Sequence, residues 1–274
     1  MPSYVIAGVA RGIGYEFLRQ ISSDPNNTVI GTVRNKAETS KKVSEDADLK
    51  DRSNIHLLEA ELTNYEALKR AAEDTAKITG GSLDYLVASA AYVSQFDAYD
   101  SIGVLGTNKP QELEDDLKKA FDINVVAVIH LYNLFMPLIL KGQAKKVVAI
   151  STGMADAELV NKYEVGMGPL YAISKTALNM VVAKFNAQYK KDGVLFLGIS
   201  PGVVDTGNFA NGDDRGPTEE YGRHDAEVCR ICPHFAGPIT PEESVRAVRS
   251  VWEKATVQEN GGDFISHYGT KQWL

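Results

Sequence analysis

The chain has 274 residues, of which 44% are hydrophobic and 24% charged, and 29 basic against 36 acidic residues give a formal net charge of −7. An acidic chain offers no electrostatic footprint for nucleic acid or for an anionic membrane, so we expect neither as a partner. The two cysteines, Cys229 and Cys232, are too few for a disulfide framework, and the first residues do not resemble a signal peptide. We therefore expect a cytoplasmic protein.

Short β-branched runs alternate with longer amphipathic stretches along most of the chain. The predicted strands are 3–7, 28–33, 55–60, 84–89, 145–151, 194–200 and 263–266. The predicted helices lie near 13–22, 64–79, 110–122, 124–141, 169–190 and 241–256. Such alternation indicates βαβ units with right-handed crossovers. We predict a single doubly wound, Rossmann-type α/β domain over 1–274, with a mostly parallel seven-stranded sheet and helices on both faces.

Two insertions interrupt this alternation, at 93–111 and at 208–238, and the second is rich in Gly, Pro and Asp. Loops of this length in a compact domain are usually functional or mobile. Both follow predicted strands, so we expect both at the carboxyl edge of the sheet, where open α/β sheets bind their ligands.

The longest apolar stretch covers 123–140 and contains Asn124, His130, Asn133 and Pro137. These interruptions favour a buried helix over a membrane span. We therefore expect no membrane partner.

The first predicted strand runs into "AGVARGIG", which places Gly8, Gly12 and Gly14 in the spacing G-x-x-x-G-x-G. Glycine there lets the backbone turn sharply and approach a pyrophosphate, which the N-terminus of the following helix attracts. The alternative is a tight turn without a ligand. It is the weaker interpretation because the triplet closes a strand and opens a helix.

The second predicted strand ends in "GTVRN", at the place where NAD sites commonly carry an acidic residue for the ribose 2′-hydroxyl. This chain has Arg34 and Asn35 there, and Arg11 in the glycine loop. A guanidinium favours a 2′-phosphate and hence NADP. A solvated arginine at a strand end is the alternative.

Tyr171 and Lys175 lie four residues apart near the start of a predicted helix, on one of its faces. A nearby ammonium stabilises a phenolate, so the pair is a candidate general acid or base. The spacing alone is common. The run "VVAISTG" adds two hydroxyls at a strand end, Ser151 and Thr152, which strand alternation directs to opposite faces. Only one of them can therefore face Tyr171.

Seven segments together resemble the short-chain dehydrogenases/reductases, in order and spacing over essentially the whole chain. They are "AGVARGIG", "GTVRN", "LVASAAY", "FDINVVAVIHLYN", "VVAISTG", "YAISK" and "ISPGVVDTGNF". The ending "GGDFISHYGTKQWL" resembles the carbonyl-reductase-like and C-factor-like branch. The resemblance implies an NADP(H)-dependent reductase of a ketone or aldehyde. It also implies a homodimer or homotetramer formed through the helices at 124–141 and 169–190, unless these helices only cover the sheet.

The resemblance implies a role for each matching residue. Tyr171 is the expected acid that protonates the carbonyl oxygen of the substrate. Lys175 is expected to bind the nicotinamide ribose and to lower the tyrosine pKa. Asn124, opening the long helix, is expected to help hold a proton-relay water. Thr152 is the expected carbonyl-orienting hydroxyl, with Ser151 as the reserve candidate. The expected cofactor contacts, besides Asn124, Tyr171 and Lys175, are Gly8, Ala10, Arg11, Gly12, Ile13, Gly14, Arg34, Asn35, Glu61, Leu62, Ser89, Ala90, Ala91, Pro201, Gly202, Val204 and Thr206.

The chain departs from the family pattern at three places. Residues 88–91 read Ala-Ser-Ala-Ala where the family usually has Asn-Asn-Ala-Gly, and Glu61 stands where an aspartate often contacts adenine. Thr152 replaces a serine, which adds a methyl group and a stiffer side chain. The first two departures affect cofactor geometry, and the third affects the fit of the substrate.

The segment "HDAEVCRICPHF" contains His224, Cys229, Cys232 and His234, including a C-x-x-C pair. Zinc sites usually separate two ligand pairs by a dozen or more residues, whereas this set spans eleven positions. We expect no metal site.

Two alternatives to a carbonyl reductase are left open by the sequence. One is an NADP(H)-binding regulatory protein. The other is a cyclase or isomerase of a biosynthetic intermediate, which the long insertion at 208–238 would suit. The set Asn124, Thr152, Tyr171 and Lys175 favours catalysis over regulation alone.

Overall fold

In the computed structural model, which describes residues 1–207 and 237–273, seven strands form one parallel sheet. The strands are β1 (Ser3–Ala7), β2 (Thr28–Val33), β3 (Ile55–Glu59), β4 (Tyr85–Ala88), β5 (Lys146–Ile150), β6 (Leu195–Ser200) and β7 (Phe264–Ser266). Their order is β3-β2-β1-β4-β5-β6-β7, and every neighbouring pair is parallel. The predicted doubly wound sheet is confirmed, and the strand order reverses between β1 and β4, where such folds bind their ligands.

The described residues form ten α-helices. They are α1 (Gly12–Ile21), α2 (Lys36–Glu45), α3 (Tyr65–Thr79), α4 (Ile102–Asn108), α5 (Pro110–Phe121), α6 (Ala127–Ile139), α7 (Ala157–Tyr163), α8 (Pro169–Tyr189), α9 (Pro241–Lys254) and α10 (Val257–Asn260). Their boundaries have local causes. The side chain of Asn64 caps the start of α3, and Gly80 ends that helix with a φ of 68°.

The two faces of the sheet carry separate hydrophobic cores. Val5 of β1 packs with α3, α6 and α8, whereas its neighbour Ile6 packs with α1 and α9 on the opposite face. The same alternation separates Leu86 from Val87 in β4. Because both faces are covered, the strands read as continuous apolar runs rather than as alternating ones.

Helices α5 and α6 join through a π-helical turn, Asp122–Val126, into one continuous helix over Pro110–Ile139. By length and composition this helix could cross a membrane, but 56% of its most apolar window is buried inside the protein. The prediction that the long helix opens at Asn124 is wrong. Asn124 lies in the middle of the π turn, because a π turn accommodates one extra residue without ending the helix.

Further elements differ from the predictions made from periodicity. The insertion at 93–111 contains α4, whose sequence has two glycines and no side-chain cap at its start. Helices α2 and α7 were also not predicted. In α2 only Thr39 is buried, so the apolar periodicity that reveals a helix is missing. The insertion at 208–238 lies outside the described residues, apart from its last two positions.

Candidate active site

The glycine loop between β1 and α1 lies at the carboxyl edge of the sheet. Gly8 has a φ of 90°, and a β-carbon there would lie 2.5 Å from the β-carbon of Ala90. A β-carbon on Gly14 would lie 1.9 Å from the carbonyl oxygen of Gly8. The α1 N-terminus has no side-chain cap from Arg11 and no acidic residue in its first turn. This cradle fits a pyrophosphate, which backbone N–H groups of such a helix end can bind.

The segment after β4 borders the glycine loop. The N–H groups of Ser89 and Ala90 both donate to the carbonyl oxygen of Ala7, at 3.2 and 2.8 Å. The departure from the family's amide-rich motif therefore leaves this strand end held by backbone hydrogen bonds. Ala91, the next residue, is exposed.

Arg34 and Glu61 meet at the ends of β2 and β3. The Arg34 side chain is 86% exposed, and its Nε lies 3.9 Å from Oε2 of Glu61. Asn35 caps α2, because its Oδ1 accepts from the N–H of Glu38 at 3.1 Å. The structure thus leaves the arginine accessible to a ligand, with a carboxylate beside it that competes for the guanidinium.

The loop after β6 approaches the glycine loop from the other side. A β-carbon built on Gly12 would lie 3.4 Å from the Thr206 methyl carbon. Gly202 has a φ of 85°, and a β-carbon there would lie 2.9 Å from the imidazole of His267. Val204 forms an isolated parallel bridge with Ile239. These contacts bring the predicted pyrophosphate and nicotinamide segments together.

Tyr171 is the third residue of α8, and Lys175 follows one turn later. The Lys175 Nζ lies 5.9 Å from the centre of the tyrosine ring and donates to the carbonyl oxygen of Ile150 at 2.8 Å. Burial raises the pKa of Tyr171 to about 12 and lowers the pKa of Lys175 to about 8. The net shift of the tyrosine pKa is therefore upward and opposite to the expected lowering, because burial outweighs the effect of the ammonium, which donates to the Ile150 carbonyl.

The two candidate hydroxyls have different surroundings. Ser151 is 2% exposed, and its Oγ donates to Oδ1 of Asn179 on α8 at 2.8 Å. Thr152 is half-buried, and its Oγ1 accepts from the N–H of Met154 at 3.3 Å. Among residues 1–207 and 237–273, the Thr152 hydroxyl donates to no group, so its proton is available to a ligand.

The Asn124 side chain is completely buried and is held by protein groups. Its Oδ1 accepts from the N–H of Tyr92 at 2.7 Å, and its Nδ2 donates to the Tyr92 carbonyl and to Ser174 Oγ, both at 2.9 Å. These bonds tie the π turn to the segment after β4 and to α8. The side chain therefore fixes the frame of the site, and its part in holding a water stays a prediction.

Several residues that shape this edge of the sheet carry no motif that would indicate them in the sequence. The Trp273 indole N–H donates to Oδ2 of Asp156 at 3.0 Å, and its ring covers Gly153, where a β-carbon would lie 2.9 Å from the tryptophan β-carbon. Asp97 accepts two hydrogen bonds from the start of α8. Asn179 follows Tyr171 and Lys175 at a four-residue spacing, so helical periodicity could have indicated it.

Metal ligands do not gather in the parts of the chain that the structure describes. Over 1–207 and 237–273, no group of three or more His, Cys, Asp or Glu side chains is placed to hold an ion. His224, Cys229, Cys232 and His234 lie outside those ranges.

A parallel doubly wound sheet with a glycine loop at its carboxyl edge, and with a half-buried tyrosine and a buried lysine beside it, is the arrangement of dinucleotide-dependent dehydrogenases and reductases. The short chain dehydrogenase family matches residues 3–215, and this chain belongs to that family of oxidoreductases. The resemblance noted in the sequence is thereby confirmed.

The chain is similar to named relatives over its whole length. It is 58% identical over 275 residues to the short chain dehydrogenase virK of Hypocrea virens, and 48% identical over 278 residues to the short-chain dehydrogenase/reductase iacC of Pestalotiopsis fici. Both alignments cover 100% of each chain. The crystal structure of NADPH-bound carbonyl reductase from chicken fatty liver has the same fold, with a TM-score of 0.77, 21% identity and 98% of each chain covered.

Proposed function

We propose that the protein is an NADP(H)-dependent reductase that converts a ketone or aldehyde to an alcohol. The observation that carries this proposal is the pair formed by the half-buried Tyr171 and the buried Lys175. With a pKa of about 12, the Tyr171 phenol is protonated at neutral pH, which is the state that a proton donor to a carbonyl oxygen requires.

The choice of NADP(H) over NAD(H) is supported by charge. Arg34 and Arg11 are exposed beside the glycine loop, and the ends of β2 and β3 carry Glu61 as the nearest carboxylate. A guanidinium binds a 2′-phosphate through charge-assisted hydrogen bonds. The chicken carbonyl reductase of the same fold is NADPH-bound.

The bound nicotinamide would supply a hydride to the carbonyl carbon. Tyr171 would donate its phenolic proton to the carbonyl oxygen, so that the substrate leaves as an alcohol and the tyrosine is left as a phenolate. Thr152 would donate a hydrogen bond that orients the carbonyl. Lys175, whose ammonium lies 5.9 Å from the ring centre, would stabilise the phenolate by its charge until a proton returns from solvent.

A homodimer in the cytoplasm is the second part of the proposal, with a homotetramer built from the same contacts as the larger form. Exposed apolar side chains lie on α8, where Ile173 is 39% and Met180 is 59% exposed. Val126 and Leu140 are exposed near the two ends of α6. Light scattering of Met180→Lys should show a smaller species than wild type. A wild-type monomer would contradict the dimer and favour helices that only cover the sheet.

The substrate is proposed to be a metabolite of a biosynthetic route. The support is the length of the insertion at 208–238, which suits a dedicated substrate. A panel of ketones and aldehydes, followed by NADPH consumption, would define the chemical class.

Tyr171→Phe tests the mechanism directly. Removal of the hydroxyl should lower kcat by about 10²-fold or more and leave NADPH affinity nearly unchanged, because the ring stays in place. Tyr189→Phe, at the other end of α8, is the matched control and should keep full activity. Equal rates for wild type and Tyr171→Phe would refute the proposal. Tight NADPH binding without turnover of any carbonyl would instead favour a regulatory or non-redox role.

A further inference from the structure

We propose that Asp97, in the insertion at 93–111, is the positioning residue for Tyr171, an inference that rests on the proposed function of that tyrosine. The Asp97 Oδ2 accepts from the backbone N–H of Leu170 at 2.7 Å and from that of Tyr171 at 3.1 Å. The Asp97 carbonyl oxygen also accepts from the N–H of Gly168 at 3.0 Å. Asp97 therefore binds three backbone N–H groups at the start of α8.

Helix α8 cannot cap its own start. Its N-cap residue is Gly168, which has a φ of 55° and no side chain, and its first residue is Pro169, which has no N–H. The next two N–H groups belong to Leu170 and Tyr171, and the first turn of a helix has no intrahelical partner for them. Asp97 supplies the missing cap from a distant part of the chain, and its charge suits the positive end of the helix dipole.

The position of the phenol depends on this cap because Tyr171 lies within the first turn. Loss of a cap allows the first turn of a helix to fray, and a displacement of about 1 Å at a reacting group can lower a rate by about 10²-fold. Lys175, one turn further, is held separately by the Ile150 carbonyl. Disturbing the cap should therefore move the tyrosine relative to the lysine and the cofactor rather than dismantle the whole site.

The Asp97 carboxyl is held in surroundings that lower the stability of the folded protein. It is 1% exposed, and within residues 1–207 and 237–273 its Oδ1 has no hydrogen-bond partner. Burial, with a smaller contribution from the nearby carboxylate of Asp116, raises its pKa. A buried carboxylate oxygen without a partner lowers stability. An asparagine oxygen would accept the same two N–H groups without burying a charge.

Asparagine and leucine at position 97 separate capping from packing. Asp97→Asn keeps an acceptor oxygen, so kcat should stay within about threefold of wild type. Asp97→Leu keeps the approximate volume but removes the acceptor, so kcat should fall about 10- to 100-fold, with NADPH affinity changed by less than about threefold. Turnover of a carbonyl substrate gives kcat, and fluorescence titration gives the NADPH affinity. An unchanged kcat in Asp97→Leu would overturn the inference.

Asp84→Asn is the matched control. Asp84 is also a buried aspartate that accepts backbone N–H groups, from Ser3, Gln143 and Ala144, but it lies at the amino edge of the sheet. Its replacement should lower thermal stability and leave kcat unchanged. A fall of kcat in Asp84→Asn comparable to that in Asp97→Leu would show that general destabilisation explains both, and would overturn the positioning role.

A double variant separates this inference from the proposed function. If Asp97 acts through Tyr171, adding Asp97→Leu to Tyr171→Phe should lower kcat no further. An additional fall of about tenfold would overturn the positioning role. Full activity of Tyr171→Phe would defeat the proposed function, whereas an inactive Tyr171→Phe with a fully active Asp97→Leu would defeat only the inference. If Asp97→Leu does not fold, Asp97→Ala takes its place, since alanine also removes the acceptor, and an unchanged kcat there would likewise overturn the positioning role.

Discussion

Replacing Lys175 with methionine should stabilise the folded protein near neutral pH while it removes the catalytic ammonium. Lys175 is 2% exposed, and burial lowers its pKa from 10.5 to about 8. A fall of about 2.5 pH units corresponds to about 3.4 kcal/mol of stability that the charged lysine costs. Loss of the hydrogen bond to the Ile150 carbonyl offsets about 1–3 kcal/mol of the gain. A net increase of about 1 kcal/mol in unfolding free energy is expected.

The difference in unfolding free energy between wild type and Lys175→Met should depend on pH, and this dependence is the more specific measurement. Because the folded pKa of Lys175 is lowered, its contribution to stability is present above the unfolded value of 10.5 and is lost as pH falls through about 8. Between about pH 10 and about pH 7 the wild type should lose about 2.5 kcal/mol relative to Lys175→Met. Urea unfolding at both pH values measures this, with Lys184→Met, an exposed lysine of α8, as control. A difference that does not change with pH would refute the reasoning.

Thr152→Val should lower kcat by about 10²-fold, because it removes the hydroxyl and keeps the shape of the side chain. Ser151→Ala should leave kcat nearly intact and lower the unfolding free energy by about 1–2 kcal/mol, because the hydrogen bond to Asn179 is lost. The opposite pattern would identify Ser151 as the catalytic hydroxyl. Arg34→Ala should weaken NADPH binding by about tenfold or more without changing NADH binding in fluorescence titrations; equal effects on both would remove the phosphate role. Glu61→Gln should tighten NADPH binding, since it frees the guanidinium from an ion pair, and an unchanged affinity would show that the two do not compete.

Buried strands and local motifs were predictable because their causes lie close together in the sequence. Each strand is an apolar run that must be covered on both faces, and the Tyr171–Lys175 spacing follows from helical geometry. Helix α2 was missed because it buries only Thr39 and so lacks an apolar face. In each of these cases the outcome follows from residues within one element.

The remaining features of the site depend on contacts between distant residues. Asp97 caps a helix that begins 72 residues later, and no local sequence pattern predicts this contact. The pKa of Tyr171 moves opposite to the expectation from a neighbouring lysine, because the direction depends on burial, which the i, i+4 spacing does not encode. The π turn at Asn124 likewise follows from side-chain bonds to Tyr92 and Ser174, far along the chain.

The position of Trp273 provides a built-in optical reporter. The protein has two tryptophans, and Trp252 lies in the core stacked on Phe17, with ring centres 5.2 Å apart. Trp273, in contrast, rests on Gly153, next to Thr152 at the end of β5. In a Trp252→Phe background, all indole emission would come from this wall of the site. Reduced nicotinamide absorbs where tryptophan emits, so energy transfer from a single native side chain would record cofactor arrival and departure during turnover, without an attached dye.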